Sequence, residues 1–368
     1  MSFFSSIANA VKGAVNDPNV LNQVESIGNQ LINTHLNDPN ATSKRATHAP
    51  APEEAWEHTK YSNANSTKKA LFIGINYFGT DAELRGCIKD VENLHRFVKD
   101  RCGFPANNMR RLTDDQQGHD RPTRANILAG MRWLVENARP GDSLFFHYSG
   151  HGSQQKDADG DEADGMDETI CPVDYDTAGM ITDDEMHSIM CASLPAGVKL
   201  TAIFDCCHSG SVLDLPFMYT VDGNLEIHED DRRAVGARHI LNAGLDFLRG
   251  NSEKAKADFK AGMDAFNAAP TEKTGPVAEH RVKDRTTAAD VILLSGCKDT
   301  QTSADAVIEG TATGAMSYAF IAAMNKYSLN LSYQDLLKTL REFMMSEYTQ
   351  VPCLSAGRPV TMKVQFSL

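Results

Sequence analysis

No run of 18 apolar residues occurs in the 368-residue chain, and its N-terminus lacks a basic start followed by an unbroken apolar core. Neither a membrane-spanning helix nor a secretory leader is expected. There is no CxxC pair and no HExxH, and the eight cysteines show no regular short spacing, which removes the usual basis for a zinc site or a disulfide framework. No basic cluster dominates: 49 Asp and Glu outnumber 36 Lys and Arg, for a formal charge of −13. Nucleic acid is therefore not an expected partner, because phosphate binding needs a basic face. An acidic surface favours cationic ligands or substrates instead. No internal repeat is present. These absences describe a reduced, intracellular, soluble protein, expected in the cytoplasm and also in the nucleus.

What is present is ordinary globular composition, 41% hydrophobic and 23% charged, which excludes wholesale disorder. Residues 1–60 form an extension in which Phe3, Phe4, Ile7, Ala8, Val11 and Val15 share one face of a short amphipathic helix. A polar linker over 37–68 follows, with Trp56 and Tyr61 as docking points. The folded body opens on an apolar strand at 69–77, a helix at 84–101 and a short strand at 108–112. A helix at 123–137 has Thr123 as its N-cap. A strand at 143–148 runs into Ser149-Gly150-His151-Gly152. An acidic loop at 157–168, a strand at 170–173 and a helix at 183–192 precede a further strand at 198–204. Residues 222–288 are polar and charged and read as an insertion. The chain closes with a strand at 289–296, helices at 315–327 and 333–348, and an alternating strand at 360–366. Strands alternating with helices imply βαβ crossovers, hence an α/β fold with a twisted, mostly parallel sheet covered on both faces. The larger part, 61–221, and the smaller, 289–368, build one sheet.

The chemistry concentrates in DCCHSGS at 205–211. Cys207 sits at a strand end and at the start of a helix, where backbone N–H groups favour a thiolate. Strand alternation puts Asp205 and Cys207 on one face and Cys206 on the other, in packing; His208 points away. The general base is His151, at the end of the neighbouring parallel strand and flanked by glycines, within about 5–10 Å of Cys207. Backbone N–H groups near Gly152 and Cys207 supply an oxyanion hole. In LRGCIKD, Cys87 and Asp90 mark another strand-to-helix junction, and a pocket holding Asp90 and Asp205 would recognise a Lys or Arg side chain. The competing reading is that Asp90 only caps or pairs on a helix surface. The acidic loop fails as an EF-hand, because its sixth position from Asp157 is Glu162 where a turn-making Gly is required. Asp183, Asp184 and Asp214 nonetheless lie near the same sheet end and offer oxygens for a hard cation. A thiol redox pair Cys206-Cys207 is opposed by the strain of bridging adjacent cysteines, and a non-catalytic binding module by the intact Cys207 and His151.

YSGHG (148–152), DCCHSGS (205–211), LRGCIKD (84–90) and SGCKDTQTSAD (295–305) together resemble a fungal type I metacaspase over residues 60–368. The resemblance implies a caspase-like fold and a calcium-dependent cysteine endopeptidase that cleaves protein substrates after Arg or Lys, with a role in programmed cell death or protein quality control. It implies a His151/Cys207 dyad, a basic-side-chain pocket of Cys87, Asp90, Ser149 and Asp205, and calcium held by Asp167, Asp183, Asp184 and Asp214. Segment 222–288 matches the stretch that many members cut in themselves, with Lys254, Lys256, Lys260, Arg281, Lys283 and Arg285 as candidate cut points. A monomer is expected. The extension lacks the Pro- and Gln-rich character common in fungal members.

Overall fold

Apolar runs five to seven residues long, separated by amphipathic stretches, can satisfy both their backbones and their side chains only by pairing into a sheet between helices. A computed structural model describes residues 65–156, 166–206, 212–219, 225–227, 285–296, 306–308, 311–345 and 352–368, all within one compact unit. In chain order these residues form β1 (Lys68–Gly74), α1 (Cys87–Cys102), β2 (Met109–Thr113), α2 (Arg124–Val135), β3 (Ser143–Ser149), β4 (Gly152–Lys156), β5 (Met166–Ile170), α3 (Tyr175–Ala178), β6 (Ile181–Thr182) and α4 (Asp183–Met190). There follow β7 (Lys199–Asp205), β8 (Phe217–Tyr219), β9 (Leu225–Ile227), β10 (Asp290–Ser295), β11 (Ala306–Ile308), β12 (Thr311–Thr313), α5 (Ala315–Lys326), α6 (Tyr333–Met345) and β13 (Cys353–Ala356).

The main sheet has the order β2-β1-β3-β7-β10-β13-β8-β9. Its first five strands are parallel, and the last three pair antiparallel. Side chains alternate across it: Ala70, Phe72, Phe145, Ile203 and Ile292 pack under α1, α5 and α6, while Leu71, Phe146, Ala202, Phe204 and Leu293 pack under α2 and α4. β4, β5 and β6 make a small antiparallel sheet beyond the ends of β3 and β7. Local signals behave as their chemistry requires. Thr123 accepts from Asn126 N at the start of α2, and Thr182 accepts from Glu185 N at the start of α4. Gly103 closes α1 in the left-handed region at φ 73°.

The structure corrects three expectations. Residues 360–366 are not a strand; the last strand is β13, and residue 365 makes a single bridge to Ser332. Their alternation is nonetheless real, since Val360, Met362 and Phe366 are buried beneath α5 and α6. Met362 O and Val364 O accept from Gln334 N and Tyr333 N, so this backbone caps the exposed first turn of α6 instead of joining a ladder. The strand expected at 170–173 lies earlier, at 166–170, which moves Asp167 and Glu168 from the acidic loop onto β5. The sheet also continues past residue 222 through the β8–β9 hairpin. The N-terminal helix, the linker with Trp56 and Tyr61, residues 157–165 of the acidic loop and residues 228–284 lie outside the described residues.

Phe366 packs edge-on against Phe320 and Tyr333, with centroids 6.0 and 5.3 Å apart. Phe366→Ala should therefore destabilise the protein by about 3–5 kcal/mol in urea titration, whereas a solvated tail would change it by less than about 0.5 kcal/mol.

Candidate functional site

β3 and β7 are direct parallel neighbours, and their last register pair is Ser149↔Asp205. His151 stands two residues beyond Ser149, and Cys207 two residues beyond Asp205. Cys207 and His208 fall outside the described residues; the described ends of β3 and β7 lie side by side at Ser149 and Asp205. Cys206 is buried among the apolar residues under α2 and α4, on the face opposite Asp205, as strand alternation requires.

The surroundings of His151 are built largely from groups that no motif signals. Its Nε2 lies 2.8 Å from Ala82 O. A carbonyl only accepts, so Nε2 is the donor; in the neutral imidazole this leaves the lone pair on Nδ1, the tautomer a general base would use. Below the ring, Tyr77 Oη accepts from His151 N at 3.0 Å and donates to Cys171 O at 2.6 Å. Tyr148 Oη donates to His151 O at 2.7 Å. Burial pushes both phenols well above their usual pKa, so both stay protonated donors. Gly150 is required here, since a Cβ would meet Tyr148 Oη at 2.8 Å and Tyr77 Oη at 3.1 Å. Tyr77 itself holds φ at 52°, an uncommon conformation for an aromatic residue.

Asp90 and Asp205 converge on the N-terminus of α5. Asp90 accepts from Ser149 Oγ and from Gly314 N, both at 2.8 Å. Asp205 accepts from Met316 N at 2.8 Å, from Ser317 N at 2.9 Å and from Ser317 Oγ. Both carboxylates are buried, and both satisfy backbone N–H groups that the helix cannot pair itself. A Cβ on Gly314 would lie 2.5 Å from the Asp205 carboxyl carbon, so only glycine allows this approach. Ser317 Oγ also lies 3.0 Å from His147 Nε2; burial lowers the pKa of His147 and keeps its imidazole neutral. Cys87 is buried one turn before Asp90 on α1, its N–H donating to Asn76 Oδ1. A groove of about 470 Å³ between α1 and α5 is bordered by Asp90, Phe97, Ser317 and Ile321. The structure thus gathers Asp90, Ser149 and Asp205 in one place, and adds Gly314, Ser317 and His147, which carry no motif.

The acidic group forms where β5 meets α4. Carboxylate oxygens of Asp167, Asp183 and Asp184 all lie within 4.8 Å of one another. Asp183 accepts from Glu168 N and Asp184 N, yet burial and the nearby Asp214 charge push its carboxyl up to about 8. Asp214, buried and at φ 51°, is joined to the group through Arg285, whose Nη2 contacts Asp184 Oδ1 and lies 3.3 Å from Asp214 Oδ2. An all-oxygen, all-carboxylate donor set with a guanidinium already drawn into it fits a hard divalent cation such as calcium. Of the six candidate cut points, Lys254, Lys256, Lys260, Arg281 and Lys283 lie outside the described residues, and Arg285 is held in this acidic group.

A mostly parallel sheet in the order β2-β1-β3-β7-β10, covered by helices on both faces, has the architecture of a caspase-like fold. The description "Metacaspase, peptidase C14 domain" matches residues 68–216. The chain is 48% identical over 309 residues to Metacaspase-1 of Mycosarcoma maydis, spanning 83% of this chain and 74% of that protein. It is 48% identical over 302 residues to Metacaspase-1A of Aspergillus oryzae, spanning 82% and 70% respectively. A solved structure of a Geobacter sulfurreducens protein superposes with a TM-score of 0.50 over 81% of this chain and 97% of that one, at 22% identity, and bears on the fold alone. The chain belongs to the metacaspase family, a family of cysteine peptidases.

Removing the Tyr77 hydroxyl leaves His151 N and Cys171 O without that partner. Tyr77→Phe should cost about 1–3 kcal/mol of stability and lower kcat for peptide hydrolysis at least tenfold with KM nearly unchanged. Parallel urea titration and steady-state kinetics check this; a rise in KM alone would refute the assignment to His151.

Proposed function

We propose that the protein is a calcium-dependent cysteine endopeptidase that cleaves protein substrates after Arg or Lys. The observation that carries the reading is the β3–β7 register, which sets His151 and Cys207 two residues beyond the pair Ser149↔Asp205. In this reading His151 Nδ1 takes the Cys207 proton, and the thiolate attacks the scissile carbonyl. Backbone N–H groups near Gly152 and Cys207 face the developing oxyanion. The tetrahedral species collapses, the C–N bond breaks, and His151 returns the proton to the leaving amine. A water molecule, deprotonated by His151, then hydrolyses the thioester and restores the thiol.

The convergence of Asp90 and Asp205 beside Ser149 supports selection of a basic side chain, with Cys87 in the adjoining wall. Two buried carboxylates attract a cation strongly and reject an acidic side chain. Calcium would be held by Asp167, Asp183 and Asp184, with Asp214 beside them, and would supply positive charge that neutralises this acidic group. Self-processing falls in segment 222–288, at Lys254, Lys256, Lys260, Arg281, Lys283 or Arg285. Resemblance to the family is the basis for reading the protein as a cytoplasmic and nuclear monomer acting in programmed cell death or protein quality control. Among the described residues no helix is long and apolar enough to cross a membrane.

Hydrolysis of an Arg-containing peptide, titrated with calcium, should be abolished in Cys207→Ala; residual cleavage by that variant would sink the proposal. Asp90→Asn should raise KM for Arg and Lys peptides about 10–100-fold, the loss of one charge-assisted contact of about 1.5–3 kcal/mol, while an equal effect on a peptide with a neutral residue at the cleaved position would argue for a purely structural Asp90. Asp183→Ala should shift the calcium requirement upward and leave the circular dichroism spectrum unchanged.

A further inference from the structure

Among the described residues, Arg285 brings a positive charge into contact with the acidic group. It belongs to the short stretch that leads into β10, and its side chain is only 15% exposed. The guanidinium reaches across to Asp184 on α4 and Asp214 in the turn after β7. Its carbonyl oxygen lies 3.4 Å from His187 Nε2, one turn further along α4, so backbone and side chain are both fastened to that helix. A hard divalent cation at Asp167, Asp183 and Asp184 would share the Asp184 carboxylate that Arg285 already contacts, and would bring positive charge against the guanidinium.

We infer that Arg285 is an internal counter-cation, and that the divalent ion binds by exchange with it, releasing the chain that enters β10. The inference rests on the calcium reading above and adds a competitor to it. A site that must first expel an occupant binds more weakly by the fraction of molecules in which the occupant is already out. The metal requirement is then set by Arg285 as well as by the aspartates. The release is also local to the C-terminal boundary of the segment read as self-processed, so metal loading and exposure of that boundary become one event. Arg124 provides the internal contrast. It is a second cation against the first turn of α4, but its Nη2 pairs with Glu185 at 2.5 Å, where Arg285 contacts Asp184.

The test uses the full chain carrying Cys207→Ala, so that no self-cutting intervenes, and reads calcium affinity by isothermal titration calorimetry. Adding Arg285→Gln should tighten calcium binding at least tenfold, while adding Arg124→Gln should change it less than twofold. Equal affinity with and without Arg285, or equal tightening by both substitutions, would overturn the exchange while leaving the calcium reading intact. Absence of any calcium heat in all three proteins would instead overturn the calcium reading, and the exchange with it. A readout that needs no change at Arg285 runs alongside: in the Cys207→Ala protein, trypsin cleavage after Arg285, identified by a new N-terminus at Thr286, should rise severalfold on calcium addition. An unchanged cleavage rate would likewise refute the exchange.

Discussion

Seven consecutive register pairs between β3 and β7, from Ser143↔Lys199 to Ser149↔Asp205, are the constraint on which the remainder depends. A slip of one residue would turn Phe146 and Phe204 out of one core and would also separate the ends that carry His151 and Cys207. Packing and chemistry are thus fixed by the same ladder. The ends of the two strands then meet the small β4–β5–β6 sheet, which brings Cys171 beneath Tyr77 and Tyr148, and so holds His151 from below.

The second organising fact is that an acidic chain has buried several of its carboxylates, and each needs a partner. Asp90 and Asp205 find theirs in the unpaired N–H groups at the start of α5. Asp183 and Asp184 begin α4, where the helix favours negative charge. Arg285 supplies the remaining positive charge for Asp184 and Asp214. The two sets differ in part: Asp90 and Asp205 are satisfied by backbone N–H groups and serine hydroxyls, whereas Asp184 and Asp214 also meet a long cationic side chain.

Much of this was legible in the sequence, and for identifiable reasons. Strands such as β1 and β7 are buried on both faces, so their residues are largely apolar, and α2 announces itself with a threonine cap. Residues 360–366 misled because alternating burial was achieved by a segment that caps α6, and alternation records which side chains are buried, not what the backbone bonds to. Asp167 and Glu168 were hidden in a run of carboxylates whose strand character comes from pairing with β4. Tyr77, Ala82, His147, Gly314 and Ser317 were not found because their contributions are a hydroxyl, a carbonyl, a buried ring, a missing Cβ and a helix start. Each is defined only by a partner far away in the chain. Arg285 was read as a cut point from its residue type alone, and only the fold sets it against Asp184.

The strand order β7-β10-β13-β8 interleaves the chain's two parts. β7 and β8 precede segment 228–284, while β10 and β13 follow it, and the later pair is enclosed between the earlier pair on both sides. A break in the backbone within that segment is therefore topologically silent. The C-terminal piece cannot leave without unzipping two ladders and withdrawing α5 and α6 from the core, so the cut chain persists as a split protein whose halves complement one another. Such a cut gives its new termini freedom without giving either piece its own fold.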